Sequence, residues 1–166
     1  ADLRGAYLQQ ADLQGADLRE AYLLRAYLRG TEGINVYLCT PLLMLLDQPG
    51  EIVAYKLVNA NGEGPVHGDI CYTDPDVTEF SVADADPDPA KDCGAGIHLA
   101  DLPWCMCEWQ PGRRILKMAF TAADIACIPT ATDGKFRVHR CRRFGEVDLV
   151  KIGLAETADS GGKHVS

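Results

Sequence analysis

The sequence lacks a long hydrophobic run and is short of positive charge. Its longest apolar run, Leu42 to Leu46, falls well below the roughly 20 residues that a transmembrane helix needs, which excludes such a helix. Sixteen Lys and Arg residues against 24 Asp and Glu residues leave a net charge of −8. That balance argues against general nucleic-acid binding, because attraction to phosphates needs a basic surface.

Several catalytic motifs are also missing. No Ser-His-Asp set, phosphate-binding glycine loop or dinucleotide fingerprint is present, and the glycine-containing stretch 61–65 precedes no helical pattern. These absences exclude the common hydrolase and kinase classes. We therefore expect no cofactor.

The seven cysteines form no secreted disulfide framework, because their number is odd and they are spread along the chain. This usage favours reduced thiols and a cytoplasmic protein. A virion location is the alternative if the protein derives from a phage.

The first 40 residues repeat with a period of five, reading ADLRG, AYLQQ, ADLQG, ADLRE, AYLLR, AYLRG, TEGIN and VYLCT. Alanine holds the first position of six units. Neither helical nor strand periodicity gives this spacing, which is typical of stacked structural repeats. Leucine holds the third position at Leu3, Leu8, Leu13, Leu18, Leu23, Leu28 and Leu38.

This pattern resembles the pentapeptide-repeat family. The resemblance implies a right-handed quadrilateral β-helix with four units per coil, so residues 1–40 would form about two coils with the leucines as its core. Residues 20 apart would stack, which places Tyr7 on Tyr27 in an outer ladder and Gly33 beneath Leu13.

The chain divides into four predicted parts. Residues 1–40 form the β-helix, the apolar segment 41–50 caps its last coil, residues 51–154 form a compact α+β domain, and 155–166 are a flexible tail. Since the sequence opens on Ala1 inside a repeat, without an initiator Met or signal peptide, we expect a fragment or a processed product. Further repeats could precede it.

The α+β domain is predicted from short strands and one brief helix. The patterns favour strands at 52–58, 114–120 and 135–144, and Thr121 as a helix cap with Asp124 three residues later. Together with the stretch 93–100, these features look like an uncharacterised phage and bacterial domain, over residues 51–149. That resemblance supplies an origin but no chemistry.

One alternative function rests on a second resemblance, to compact ADP-ribosyltransferases, which hold NAD with a His-Gly strand and a later Gly-x-Gly-x-aromatic strand. It implies that His67 bonds the nicotinamide ribose, that Gly94 and Gly96 lie beside the cofactor, that His98 stands in the stacking position, and that Glu146 is the acidic residue. The simpler interpretation is a turn histidine at 67 and a hydrogen-bonded histidine on a half-buried strand at 98.

A zinc site is the other chemical alternative. Cys93, His98, Cys105 and Cys107 fall within fifteen residues, and thiolate and imidazole are zinc ligands. In a strand Cys105 and Cys107 would share a face, but the pair lacks the usual two-residue gap. Buried structural thiols are the favoured interpretation, and we expect no metal.

Charge is segregated along the second domain. Residues 69–92 hold eight acids against one lysine, and 113–143 hold eight bases against two acids. The basic run 135–143 alternates with Phe136 and Val138, which favours an edge strand whose charges pair with the acidic loop over a nucleic-acid contact.

The sequence thus favours a non-enzymatic structural or interaction protein. The β-helix would be a platform for docking a protein partner or for oligomerisation, in a phage-related virion or accessory protein. Some pentapeptide-repeat proteins inhibit DNA gyrase by imitating duplex DNA, which needs a long acidic rod. With five acids and four bases in residues 1–40, this is the weaker alternative.

Overall fold

The computed structural model describes residues 2–13, 23, 26, 31–33, 37, 39–65 and 70–156. Within those ranges no helix is long and apolar enough to cross a membrane. The described elements include the 3-10 helices Pro41–Asp47 and Ala122–Asp124, strands β1 (Glu51–Val58), β2 (Glu79–Ser81), β3 (Ile97–Ala100), β4 (Arg114–Thr121), β5 (Ile125–Cys127), β6 (Lys135–Val138) and β7 (Arg140–Glu146), and helix α1 (Leu102–Cys107).

The strands form one antiparallel sheet in the order β2-β7-β4-β1-β3-β6-β5. At its centre β1 and β4 are paired along their whole length, from Glu51 opposite Thr121 to Val58 opposite Arg114. The strands predicted at 52–58 and 114–120 are confirmed, each extended by one residue. The predicted cap is also present, since both the N–H and the hydroxyl of Thr121 donate to the Asp124 carboxylate.

Strands β6 and β7 are two halves of one run, interrupted at His139. β6 lies between β3 and β5, and β7 lies between β4 and β2. The prediction of a strand here is confirmed, but its placement at the sheet edge is wrong. Because this run joins the strands outside β3 to those outside β4, the sheet curls around its buried face.

The buried face of the curled sheet carries the larger hydrophobic cluster, which includes Leu99, Leu116, Met118 and Phe136. Leucines 42, 43 and 45 of the first 3-10 helix pack against this cluster. That helix starts with Pro41, and the Thr40 hydroxyl caps it by accepting the Leu42 N–H at 3.2 Å. Its predicted role as a cap of the repeat stays a prediction.

Helix α1 covers the other face of the sheet and replaces the strand considered for Cys105–Cys107. Asp101 caps the helix by accepting the Trp104 N–H at 2.7 Å, and Pro103 lies in the first turn. Apolar residues up to Leu154 join α1 on this face. With one α-helix of six residues among the described elements, the domain holds less helix than an α+β class implies.

The described repeat residues show turns at five-residue steps. Ala6 N–H donates to Leu3 O and Ala11 N–H to Leu8 O, both at 3.0 Å. The residues before these alanines, Gly5 and Gln10, have φ of 64° and 59°, the left-handed region that a tight turn of this kind requires.

One link joins repeat residues that lie 20 positions apart. Asp12 forms a parallel bridge with Glu32, in which Glu32 N–H donates to Ala11 O and Glu32 O accepts from Leu13 N–H. This is the spacing expected for four units per coil. Leu18, Leu28, Leu38 and Tyr27 lie outside the described residues, as do 157–166 of the predicted tail.

The repeat contacts the sheet domain through a small apolar cluster. Leu23 and Ala26 are buried together with Ala131, which lies in the loop between β5 and β6, and Cys39 packs against them. The repeat is therefore packed on the sheet domain at this point.

Candidate functional site

A cavity of about 730 Å³ opens where β1 and β3 part. The register between these strands is a single pair, Tyr55 opposite Ala100. Beyond that pair the strands leave space that loops from both sides enclose. The cavity lining includes Lys56, Gly64, Pro65, Ile70, Tyr72, Ser81, Val82, Cys93, Gly94, Ala95, Gly96 and His98.

The turn at Gly94 to Gly96 forms one wall, and its glycines are needed for packing. A Cβ at Gly94 would lie 2.9 Å from the Asp86 side chain, and Gly96 has φ of +134° with Ala85 Cβ only 3.3 Å from where its own Cβ would be. Asp86 N–H donates to Ala95 O at 2.8 Å. Close packing on residues 85–86 therefore accounts for the bend.

His98 lines the cavity from the middle of β3. Its Nε2 lies 3.0 Å from Gly94 O, and since a carbonyl can only accept, this nitrogen carries the proton. Burial, together with the positive charge of Lys56, lowers the pKa of His98 to about 4. The histidine is thus neutral at pH 7 and held by the glycine turn.

Lys56 is the buried charge of the site, with only 7% of its surface exposed. Its Nζ donates to His98 O at 2.9 Å and lies 4.6 Å from the centroid of the Tyr72 ring. The side chain thereby supplies the link between β1 and β3 that the backbone does not make. Burial lowers the pKa of Lys56 to about 8.

Arg137 supports the loop beside the cavity and is fully buried. Its guanidinium donates to the main-chain oxygens of Asp86, Asp88, Lys91 and Asp92, at 2.8 to 3.3 Å. The expected pairing of basic run and acidic loop is therefore made here through carbonyls. Sequence reasoning found neither Lys56 nor Arg137, because each looks like a surface charge on a strand.

The residues of the ADP-ribosyltransferase alternative are only partly brought together. His98, Gly94 and Gly96 line the cavity. Glu146 is not among the described lining residues and instead forms an ion pair with Arg114 at 2.6 Å. His67 lies outside the described residues.

The four residues of the zinc alternative do not converge. Cys105 is buried in the cluster under α1, where burial raises its pKa to about 12, whereas Cys107 on the same helix is exposed. Cys93 lies 3.4 Å from Lys135 Nζ. The part of the chain that the structure describes contains no group of three His, Cys, Asp or Glu residues suited to a metal, and all seven cysteines are free thiols.

Comparison with known families identifies the N-terminal segment. Residues 1–32 match the pentapeptide repeats, in eight copies, so the repeat inferred from the sequence is confirmed and a β-helix is implied there. No curated protein and no solved structure matches the chain significantly. The resemblance of residues 51–149 to a phage and bacterial domain gains no support.

Proposed function

We propose that this protein is a non-enzymatic interaction protein whose pentapeptide repeats dock a protein partner or a second copy of the chain. The family of the N-terminal segment fits this role. Within the sheet domain, the described residues of the enzymatic and zinc alternatives do not assemble into a complete site.

The observation that carries the proposal is the uneven burial of the repeat leucines. Leu23 is only 4% exposed, whereas Leu3, Leu8 and Leu13 are half-buried. In a stacked repeat a covered coil buries its leucines, so the surface around these three is incompletely covered. On the flank, Tyr7 is 77% exposed, and an aromatic ring is a common anchor in interfaces.

Size-exclusion chromatography with light scattering tests the proposal on the full natural chain, over a range of concentrations. Self-association is expected and should be weakened by Leu8→Glu, which places a charge on the half-buried surface. Tyr7→Ala, on the flank, separates association through the flank from association through the leucines. Circular dichroism checks that each variant keeps its fold. A chain that stays monomeric at all concentrations would contradict self-association.

NAD-dependent transfer is kept as a second candidate because His98, Gly94 and Gly96 share a cavity. The test is incubation with labelled NAD, followed by detection of hydrolysis or transfer. Activity that disappears in His98→Ala would replace our proposal. Turnover unaffected by that change would come from a contaminant.

A further inference from the structure

Two adjoining cavities meet at Lys56 and His98. The larger, described above, is joined by a smaller one of about 40 Å³, and both are lined by Lys56, Pro65 and His98. Trp104 and Lys135 complete the polar part of the smaller cavity. A space of several hundred Å³ suits a small organic molecule, and the smaller cavity suits a single polar group.

The charges around these cavities have one sign. The described lining of both includes no Asp or Glu, although the chain carries a net charge of −8. Lys56 forms no ion pair with any described carboxylate, and its one hydrogen bond goes to a backbone oxygen. Lys135 adds a second cation, which is paired with Asp92 at 3.3 Å.

A second observation concerns a hydrogen-bond donor. The indole N–H of Trp104 is buried and has no acceptor among the described residues. The other tryptophan differs, since Trp109 donates its N–H to Arg113 O at 2.9 Å. A buried donor without an acceptor costs free energy, as does a buried cation without a counter-ion. An oxyanion would satisfy both.

The larger cavity suits the rest of such a ligand. Ile70, Tyr72 and Val82 provide apolar and aromatic surface. His98, already bonded to Gly94, offers no charge that would compete with Lys56. The site thus combines a charged end with an apolar compartment.

We propose that these cavities bind a small organic anion. Its carboxylate, sulfonate or phosphate group accepts hydrogen bonds from Lys56 and the Trp104 indole, and its apolar body lies against Tyr72. The proposal is independent of the role of the repeat, because none of its residues belongs to the repeat.

The test uses two fluorescent probes that differ mainly in one charged group. Anilinonaphthalene sulfonate is an anion with an aromatic body, and N-phenyl-naphthylamine is its neutral counterpart. We expect the full chain to bind the anionic probe. Lys56→Met should weaken that binding at least tenfold while changing the affinity for the neutral probe by less than twofold. The matched control is Lys151→Met, which removes an exposed lysine and should change neither.

Nuclear magnetic resonance locates the bound probe. The chain has two tryptophans, so two indole N–H signals are expected, and Trp104→Phe assigns them. The anionic probe should shift the Trp104 signal and leave the Trp109 signal in place. The proposal is overturned if the wild type does not bind the anionic probe, if Lys56→Met binds it as tightly, or if the Trp104 signal does not move.

Discussion

Replacing Lys56 by methionine should make the free protein more stable at neutral pH. Methionine keeps a similar length but removes a charge from a site that is 7% exposed. Burial lowers the pKa of this lysine from 10.5 to about 8, so the folded protein at pH 7 holds an ammonium group that would be better solvated in the unfolded chain. The loss of the bond to His98 O offsets part of the gain, by about 1 kcal/mol.

The sign of the pH dependence follows from the two pKa values. Between pH 8 and pH 10.5 the unfolded chain binds more protons at Lys56 than the folded protein does, so the wild type gains stability as the pH rises. The destabilisation is complete below pH 8 and is relieved through this window. From pH 7 to pH 10 the wild type should gain about 2.5 kcal/mol relative to Lys56→Met.

Guanidinium unfolding of both proteins at pH 7, 8.5 and 10, with reductant present, measures this difference. Subtracting the two curves removes contributions that both proteins share, including those of the buried cysteines. Lys151→Met should show no pH-dependent difference from the wild type. A constant difference between wild type and Lys56→Met, or a variant that is less stable at pH 7, would refute the reasoning.

Three further predictions concern the supports of the site. Arg137→Lys keeps the charge but loses at least two of the four carbonyl bonds, and we expect a loss of about 3 kcal/mol in urea unfolding. Gly94→Ala places a Cβ 2.9 Å from the Asp86 side chain and should cost about 1 to 3 kcal/mol in thermal unfolding, whereas Gly145→Ala meets its nearest atom at 3.7 Å and should change little. Asp124→Asn should cost about 1 to 3 kcal/mol at pH 7, a difference that disappears in acid unfolding.

The sign of the last effect comes from the environment of Asp124. Burial opposes its ionisation, but hydrogen bonds from Thr121 and the charge of Arg140 outweigh burial and lower the pKa. Its contribution is therefore present at neutral pH and lost as the pH falls below 3.8, toward the lowered value. A difference between wild type and Asp124→Asn that persists at pH 2 would contradict this account, as would equal stability of Gly94→Ala and Gly145→Ala for the turn.

The controls for Arg137 are exposed arginines. Arg142 forms an exposed ion pair with Glu51, and such pairs contribute little, so Arg142→Lys should stay within about 0.5 kcal/mol of the wild type. If Arg137→Lys were equally mild, the carbonyl bonds would not be what holds the loop.

Local patterns predicted the parts of the fold whose causes are local. The five-residue period identified the repeat, and alternating apolar residues located β1 and β4. The same reasoning missed α1, although Asp101 before Leu102 and Pro103 is a helix-start signal. The short helix was obscured by Trp104 and the neighbouring cysteines, which suggested a strand.

The site was less predictable because it depends on contacts between distant residues. Gly94, Gly96 and His98 were found from one glycine-rich stretch. Lys56 becomes distinctive only when β1 and β3 separate and Tyr72 covers it, 16 residues later in the chain. Arg137 is similar, since its acceptors lie 45 to 51 residues away. Sequence spacing alone carries no record of such contacts.

The packing of Ala131 on Leu23 and Ala26 bears on how such a protein can change over evolution. That contact holds the repeat to the sheet domain at one place, while the bridge between Asp12 and Glu32 repeats after 20 residues. Insertion of a whole 20-residue period before Leu23 would leave the contact intact and lengthen the repeat by about 4.8 Å, one strand spacing. The repeat could therefore vary in length like an adjustable spacer while the cavity at Lys56 stays unchanged.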